Sequence, residues 1–198
     1  MKDKKPLNLL TNTNAKISKT AKLNGVRLYE FNLPALITCP FADSCKVFCY
    51  ADKGSYKYKN VVEKYAFNLA LTKQPEIFQE AIQAELIKKR VEYVRIHSSG
   101  DFYSLKYLKM WVNIALNNPE VVFYGYTKSV PLFNSLELPA NFVFCYSTGG
   151  KKDNLIKPGA KKAVIFNSLE ELEKAGYTNC SINDMAMISA DKIGLIYH

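Results

Sequence analysis

Three of the chain's five cysteines lie within eleven residues, in Cys39-Pro-Phe-Ala-Asp-Ser-Cys45-Lys-Val-Phe-Cys49. Thiolates are metal ligands, and a loop this short can wrap three of them round one centre. Structural zinc sites usually contain a pair of ligands two residues apart, often with histidine. The segment has no such pair, and the chain's two histidines, His97 and His198, lie elsewhere. A spaced thiolate triplet suits an iron–sulfur cluster, whose irons are held by cysteines at varied loop spacings. A [4Fe–4S] cubane then takes one more ligand or leaves one iron open. Cys180, in the polar run Thr-Asn-Cys-Ser-Ile-Asn-Asp, is the favoured fourth ligand. An open iron and Cys145, mid-strand in Phe-Val-Phe-Cys-Tyr-Ser, remain the alternatives. The competing reading is plain burial, because free cysteine is among the most buried residue types. Three thiols in a loop that also carries Asp43, Ser44 and Lys46 favour a metal.

A second constellation lies in Tyr93-Val-Arg-Ile-His-Ser-Ser-Gly-Asp-Phe102. Strand side chains alternate, which predicts Arg95, His97 and Ser99 on one face and Val94 and Ile96 on the other. In a barrel covered outside by helices, the polar face points into the cavity. Gly100-Asp101 then ends the strand where backbone can approach a ligand and a carboxylate can take an ammonium or hydroxyl. The bland alternative is an internal histidine and arginine, each satisfied by neighbours, with a turn glycine. In Val-Val-Phe-Tyr-Gly-Tyr-Thr-Lys128, Tyr124, Tyr126 and Lys128 share a face, as packing or as a stacking platform.

The elements that position these residues alternate between the two periods. An extended run from Phe31 to Thr38, interrupted by Pro34, precedes the cysteine loop. Asn60 opens a helix to about Lys73, and Pro75 begins another with Glu76 near its start and Lys88, Lys89 and Arg90 at its end. Tyr93–Ser98 is a strand. Ser104 caps a helix with Leu105, Leu108, Val112, Ala115 and Leu116 at helical spacing. Val121–Thr127, Asn141–Ser147 and Ala163–Asn167 are strands, Ser168-Leu-Glu-Glu171 is a capping box, and Lys192–Tyr197 is a last strand. The pattern predicts an α/β fold with a mainly parallel sheet, open or curled into a partial (β/α) barrel, whose ligands sit at the carboxyl ends of the strands.

With 198 residues, 48% of them hydrophobic, the chain has the content of one compact domain and shows no repeat or linker. Residues 1–25 read as a basic arm and 26–198 as a single α/β domain. No apolar run approaches membrane-spanning length, and the Met1-Lys-Asp-Lys-Lys start leads into no apolar signal segment, so a cytoplasmic protein with free thiols is expected. Seven of the 27 basic residues precede Glu30, against Asp3 and Glu30. An arm of that charge suits phosphate contacts, which makes a nucleic-acid-binding protein with a structural metal the alternative function. Only Arg27, Arg90 and Arg95 are arginines, and base-edge recognition favours arginine.

Several segments together resemble the phage "gene product 88" domain family: Leu33-Pro-Ala-Leu-Ile-Thr-Cys-Pro40, Cys45-x3-Cys49-Tyr-Ala, Asn68-Leu-Ala-Leu-Thr72, Arg95-Ile-His-x-Ser-Gly-Asp-Phe and Phe123-Tyr-Gly-Tyr-Thr-Lys-Ser129. The resemblance covers most of the chain from about Asn14 and implies a phage protein acting in the infected bacterial cell. A looser resemblance is to radical S-adenosylmethionine enzymes, whose barrel-strand loop carries three cysteines with an aromatic before the last. Phe48 matches that aromatic, and Ser99-Gly100-Asp101 stands where those enzymes hold the cofactor's amino group. The spacing departs from theirs, being x5 and x3 rather than x3 and x2. This resemblance implies a barrel of reduced size, S-adenosylmethionine as a second cofactor at an open iron, an electron donor as partner, and Arg95, His97, Ser99, Gly100 and Asp101 lining the site.

Overall fold

A computed structural model of the chain describes residues 8–47 and 49–196. Phe48, Tyr197 and residues 1–7 of the basic arm lie outside the described residues.

Seven described strands form one sheet: β1 (Leu28–Phe31), β2 (Tyr93–Ile96), β3 (Val122–Thr127), β4 (Phe142–Ser147), β5 (Lys162–Phe166), β6 (Thr178–Asn179) and β7 (Lys192–Ile196). Their order is β1-β2-β3-β4-β5-β7-β6, and every pairing between them is parallel. Parallel neighbours need a crossover, and the sheet, wound strand beside strand from β1 to β5 with β7 inserted between β5 and β6, curls into a half-barrel. The crossovers carry α2 (Lys59–Leu71) and α3 (Pro75–Lys89) before β2, α4 (Leu105–Leu116) before β3, α5 (Val130–Phe133) before β4, α6 (Leu169–Lys174) before β6 and α7 (Ala186–Ser189) before β7.

Strand alternation separates two cores. On the convex side Phe31, Val94, Ile96 and Phe123 pack against Phe78, Ile82 and Leu86 of α3 and Leu108, Trp111 and Ile114 of α4. Phe31, Phe78 and Trp111 meet edge to face with centroids 5.3 to 5.5 Å apart, the geometry that aromatic quadrupoles favour. On the concave side Leu28, Tyr124, Cys145, Ala163 and Ile193 pack with Cys180, Met187 and Ile17.

Ile17 belongs to α1 (Ala15–Asn24), a helix where the polar composition suggested an irregular arm. Its ends were legible: Asn14 accepts from the Lys16 amide, and Gly25 closes the helix at φ +65°. Only Ile17 and Thr20 are buried, too few apolar positions to register as a helical stripe. Asn8, Leu9 and Leu10 also belong to the folded body, with the Leu9 and Leu10 amides donating to the buried Glu85 carboxylate. Thr11 then pairs antiparallel with Glu30, covering the free edge of β1.

The first strand is displaced from the expected Phe31–Thr38. Pro34 lacks an amide to donate, Leu36 takes φ +65°, and the pairing with β2 is made by Leu28–Phe31 instead. The other main strands and helices fall within two residues of their expected bounds, while α5, β6 and α7 had no signal long enough to be seen.

Candidate metal and polar centre at the sheet's carboxyl edge

The chain from Asn32 to Tyr58 crosses the carboxyl edge of β1 and β2, and its described residues form short 3-10 turns as their regular structure. It is held by side-chain bonds. Asn32 Oδ1 accepts from the Ser98 and Ser99 amides at 2.7 and 3.0 Å, its Nδ2 donates to Tyr65 Oη, and its carbonyl accepts from Asn68 Nδ2. The Tyr50 hydroxyl donates to the Ser98 carbonyl. On the far side Ala42 pairs with Gly150, the Lys151 amide donates to the Phe41 carbonyl, and Asp153 fixes that turn by accepting from the Gly149 and Gly150 amides.

Cys39, Cys45 and Cys49 are free and half-buried on this loop. Burial first, then the charge of Asp101 and of the other two thiols, pushes Cys39 up to about 12. Burial also raises Cys49, against backbone hydrogen bonds from Ala51 and Asp52 and with Cys45 adding to the rise. Among the described residues, however, no group of three or more histidine, cysteine, aspartate or glutamate side chains stands close enough to share one ion. Cys180 is fully buried in the concave core beside Cys145, with Asp184, Lys16 and Lys161 as its charged neighbours rather than the loop cysteines.

The expected single polar face of β2 divides in two. Arg95 points into the concave side, opposite Glu30 of β1 in the register. Its Nη1 donates to Asp184 Oδ2 at 2.9 Å and its guanidinium lies 4.5 Å from the Tyr126 ring, with Tyr124 beyond. Burial alone would lower the arginine's pKa, but Asp184 holds it charged; burial would raise Asp184, and Arg95 and Lys16 keep it low. Lys16 Nζ of α1 reaches the second Asp184 oxygen at 2.7 Å. Arg95 Nε and Tyr126 Oη are buried without partners. Glu30 is buried as well, and desolvation raises its pKa. Glu30 and Asp184 carried no sequence signal, since a glutamate in a four-residue strand and an aspartate 89 positions from Arg95 reveal their neighbours only in the fold.

His97 does not share the Arg95 face, contrary to the alternation argument. The strand ends at Ile96, and His97 takes φ +67°, which turns its ring to the helical side. There Nε2 meets Tyr107 Oη at 2.8 Å between Phe31, Phe102 and Tyr107. Burial, then Arg95, lowers its pKa to about 3, so the ring is neutral at physiological pH.

Ser99, Gly100 and Asp101 join neighbouring strand ends. Ser99 Oγ donates to the Leu33 carbonyl. Gly100, at φ +86°, lets Leu33 and Thr38 approach so closely that a Cβ would lie 2.8 and 2.7 Å from them. Asp101 Oδ1 accepts from Thr127 Oγ1 and the Phe102 amide, and Oδ2 from the Lys128 amide. Lys128 Nζ donates in turn to Ser147 and Thr148. The hydrogen-bonding groups expected to receive a cofactor's amino group are therefore engaged within the chain.

A sequence model of the family described as Gene product 88 matches residues 8–194. The chain belongs to the gene product 88 family. A family relative, the Gene 88 protein of Mycobacterium phage L5, is 30% identical over 102 residues, which covers 46% of this chain and 43% of that protein. The match therefore spans less than half of the relative's length. No solved structure matches this gene product 88 chain, and nothing among the relatives supports the radical S-adenosylmethionine resemblance. Among the described residues no helix is long and apolar enough to cross a membrane.

Proposed function

We propose that this gene product 88 protein binds an iron–sulfur cluster of the [4Fe–4S] type through Cys39, Cys45 and Cys49. The observation that carries the reading is a free, half-buried thiol triplet on one loop over the carboxyl edge of a parallel sheet. Soft thiolates select iron–sulfur clusters, zinc or copper(I), and the loop has no histidine and no closely spaced cysteine pair to favour zinc. Among the loop's described residues Ile37, Val47, Tyr50 and Tyr58 leave their apolar side chains exposed. A cluster would cross-link it by drawing the three sulfurs inward.

Bound there, the cluster would supply one-electron chemistry. Cys180 is not a ligand in this reading, and the fourth iron is left to a ligand other than cysteine. Because Ser99 and Asp101 are engaged in joining strand ends, we favour a structural or electron-transfer role over cleavage of S-adenosylmethionine. Thiols must lose protons to become ligands, so loading releases protons and weakens as pH falls.

Anaerobic purification or reconstitution, with iron and sulfide quantified and visible absorption and electron paramagnetic resonance recorded, tests the reading. We expect near-stoichiometric iron and sulfide that Cys39→Ala, Cys45→Ala or Cys49→Ala removes and Cys180→Ala retains. A colourless protein carrying stoichiometric zinc, or iron kept by the triple cysteine variant, overturns it.

A further inference from the structure

We propose that the rim of the half-barrel around the cysteine loop binds single-stranded nucleic acid, independently of any metal. Two segments a hundred residues apart meet there through the Ala42–Gly150 pairing and the Lys151 amide bond to Phe41. The first brings exposed Lys46, Lys53, Lys57 and Lys59, and the second exposed Lys151, Lys152 and Lys157. Asp43, Asp52 and Asp153 are the carboxylates within the same stretches. Asp153 is turned onto backbone amides, Asp52 is paired with Lys57, and Glu63 of α2 lies 3.9 Å from Lys59, which leaves Lys46, Lys53, Lys151, Lys152 and Lys157 as the cations that face Asp43 alone. The rim is therefore strongly cationic. It also presents two rings to solvent: Tyr50, whose hydroxyl turns inward to the Ser98 carbonyl, is 58% exposed and Tyr58 64%, with aliphatic Val47 three positions before the first.

Exposed apolar rings cost solvation, and lysines crowded together repel. A ligand with phosphates and flat apolar faces relieves both. Unpaired bases stack on tyrosine irrespective of sequence while lysines take the backbone as point charges. A duplex keeps its faces stacked internally, and the rim offers no arginine to read a groove edge. Placing the contact here differs from a basic-arm interface, because α1 is docked in the fold and its Lys16 is held by Asp184.

Fluorescence anisotropy with labelled oligothymidylate of about 20 nucleotides, compared with a duplex of equal length at low salt, tests the proposal on the full chain as purified. We expect binding of the single strand in preference to the duplex, with log K falling about 0.7 per phosphate contact against log salt. Tyr50→Ala and Tyr58→Ala should each weaken it roughly 5- to 100-fold, as loss of one stacked base does. Tyr50→Phe should retain it. The double variant Lys151→Ala/Lys152→Ala, which keeps the Lys151 amide bond to Phe41 because that bond is made by the backbone, should weaken it and flatten the salt slope by about 1.4. Lys19→Ala/Lys22→Ala on α1 should leave it unchanged. No binding at low salt, equal affinity for duplex, or loss through the α1 lysines instead of the rim overturns the proposal. Because none of these variants touches a cysteine, iron content and oligonucleotide binding fail separately.

Discussion

His97 shows how one backbone angle reassigns a residue. An unbroken strand would leave it beside Arg95 in the concave interior; at φ +67° it enters the aromatic core and meets Tyr107. The folded protein resists protonating it until about pH 3, whereas an unfolded chain protonates histidine near 6.5. Its contribution to stability is therefore complete above about pH 6.5 and declines as pH drops toward 3. Urea unfolding at pH 7 and pH 5 should show His97→Gln losing less stability on acidification than the parent protein, by about 2 kcal/mol. An imidazole resonance assigned to His97 that titrates near pH 6.5 would contradict this placement. Arg95 illustrates the opposite fate: kept on the inner face by regular alternation, it stays charged because Asp184 faces it.

At the scale of elements, the turn after β2 holds three strand ends together. Asn32 binds the Ser98 and Ser99 amides, Gly100 admits Leu33 and Thr38, and Asp101 takes the Lys128 amide beyond β3. Gly100→Ala combines a left-handed backbone with a Cβ placed 2.7 Å from Thr38 Oγ1, so we expect a loss of about 1–3 kcal/mol in chemical denaturation. The cysteine loop, which starts from Leu33, should become more accessible to thiol reagents in the same variant. Unchanged stability would mean that the chain does not cross so closely. Gly125 obeys the same logic within β3, where a Cβ would fall 2.5 Å from the Ile96 carbonyl oxygen. Gly100, which reads as a ligand contact in the sequence, is accounted for by strand and loop approaching each other.

Over the whole molecule, the concave face is closed from the chain's two ends. Ile17 of α1 and Met187 of α7 cover the inner core, and Lys16 completes the pairing of Asp184 with Arg95. Removing residues 1–25 deletes Leu9, Leu10 and Ile17 from the core, strips the Leu9 and Leu10 amides from buried Glu85 and removes Lys16 from Asp184, together at least about 5 kcal/mol. For a chain of this length that is a fall of at least about 10 °C in the thermal midpoint. Differential scanning calorimetry of the truncated protein reads the change, and an unaltered midpoint would restore the first 25 residues to the role of a detachable arm.

Periodicity and caps were enough to determine the alternating strands and helices, the parallel sheet, and the cysteine loop at a carboxyl edge, because those depend on interactions local in sequence. The family membership was equally legible, carried by short motifs in combination. Side-chain pairings across the sheet were not. Arg95 with Asp184, Cys180 with Cys145, and the lysines of two loops on one rim join residues between 35 and about 108 positions apart, and no local pattern encodes which of them meet. The helix at Ala15–Asn24 was lost for a related reason: its apolar face is two residues wide, and it is the tertiary packing of Ile17 that holds it against the sheet.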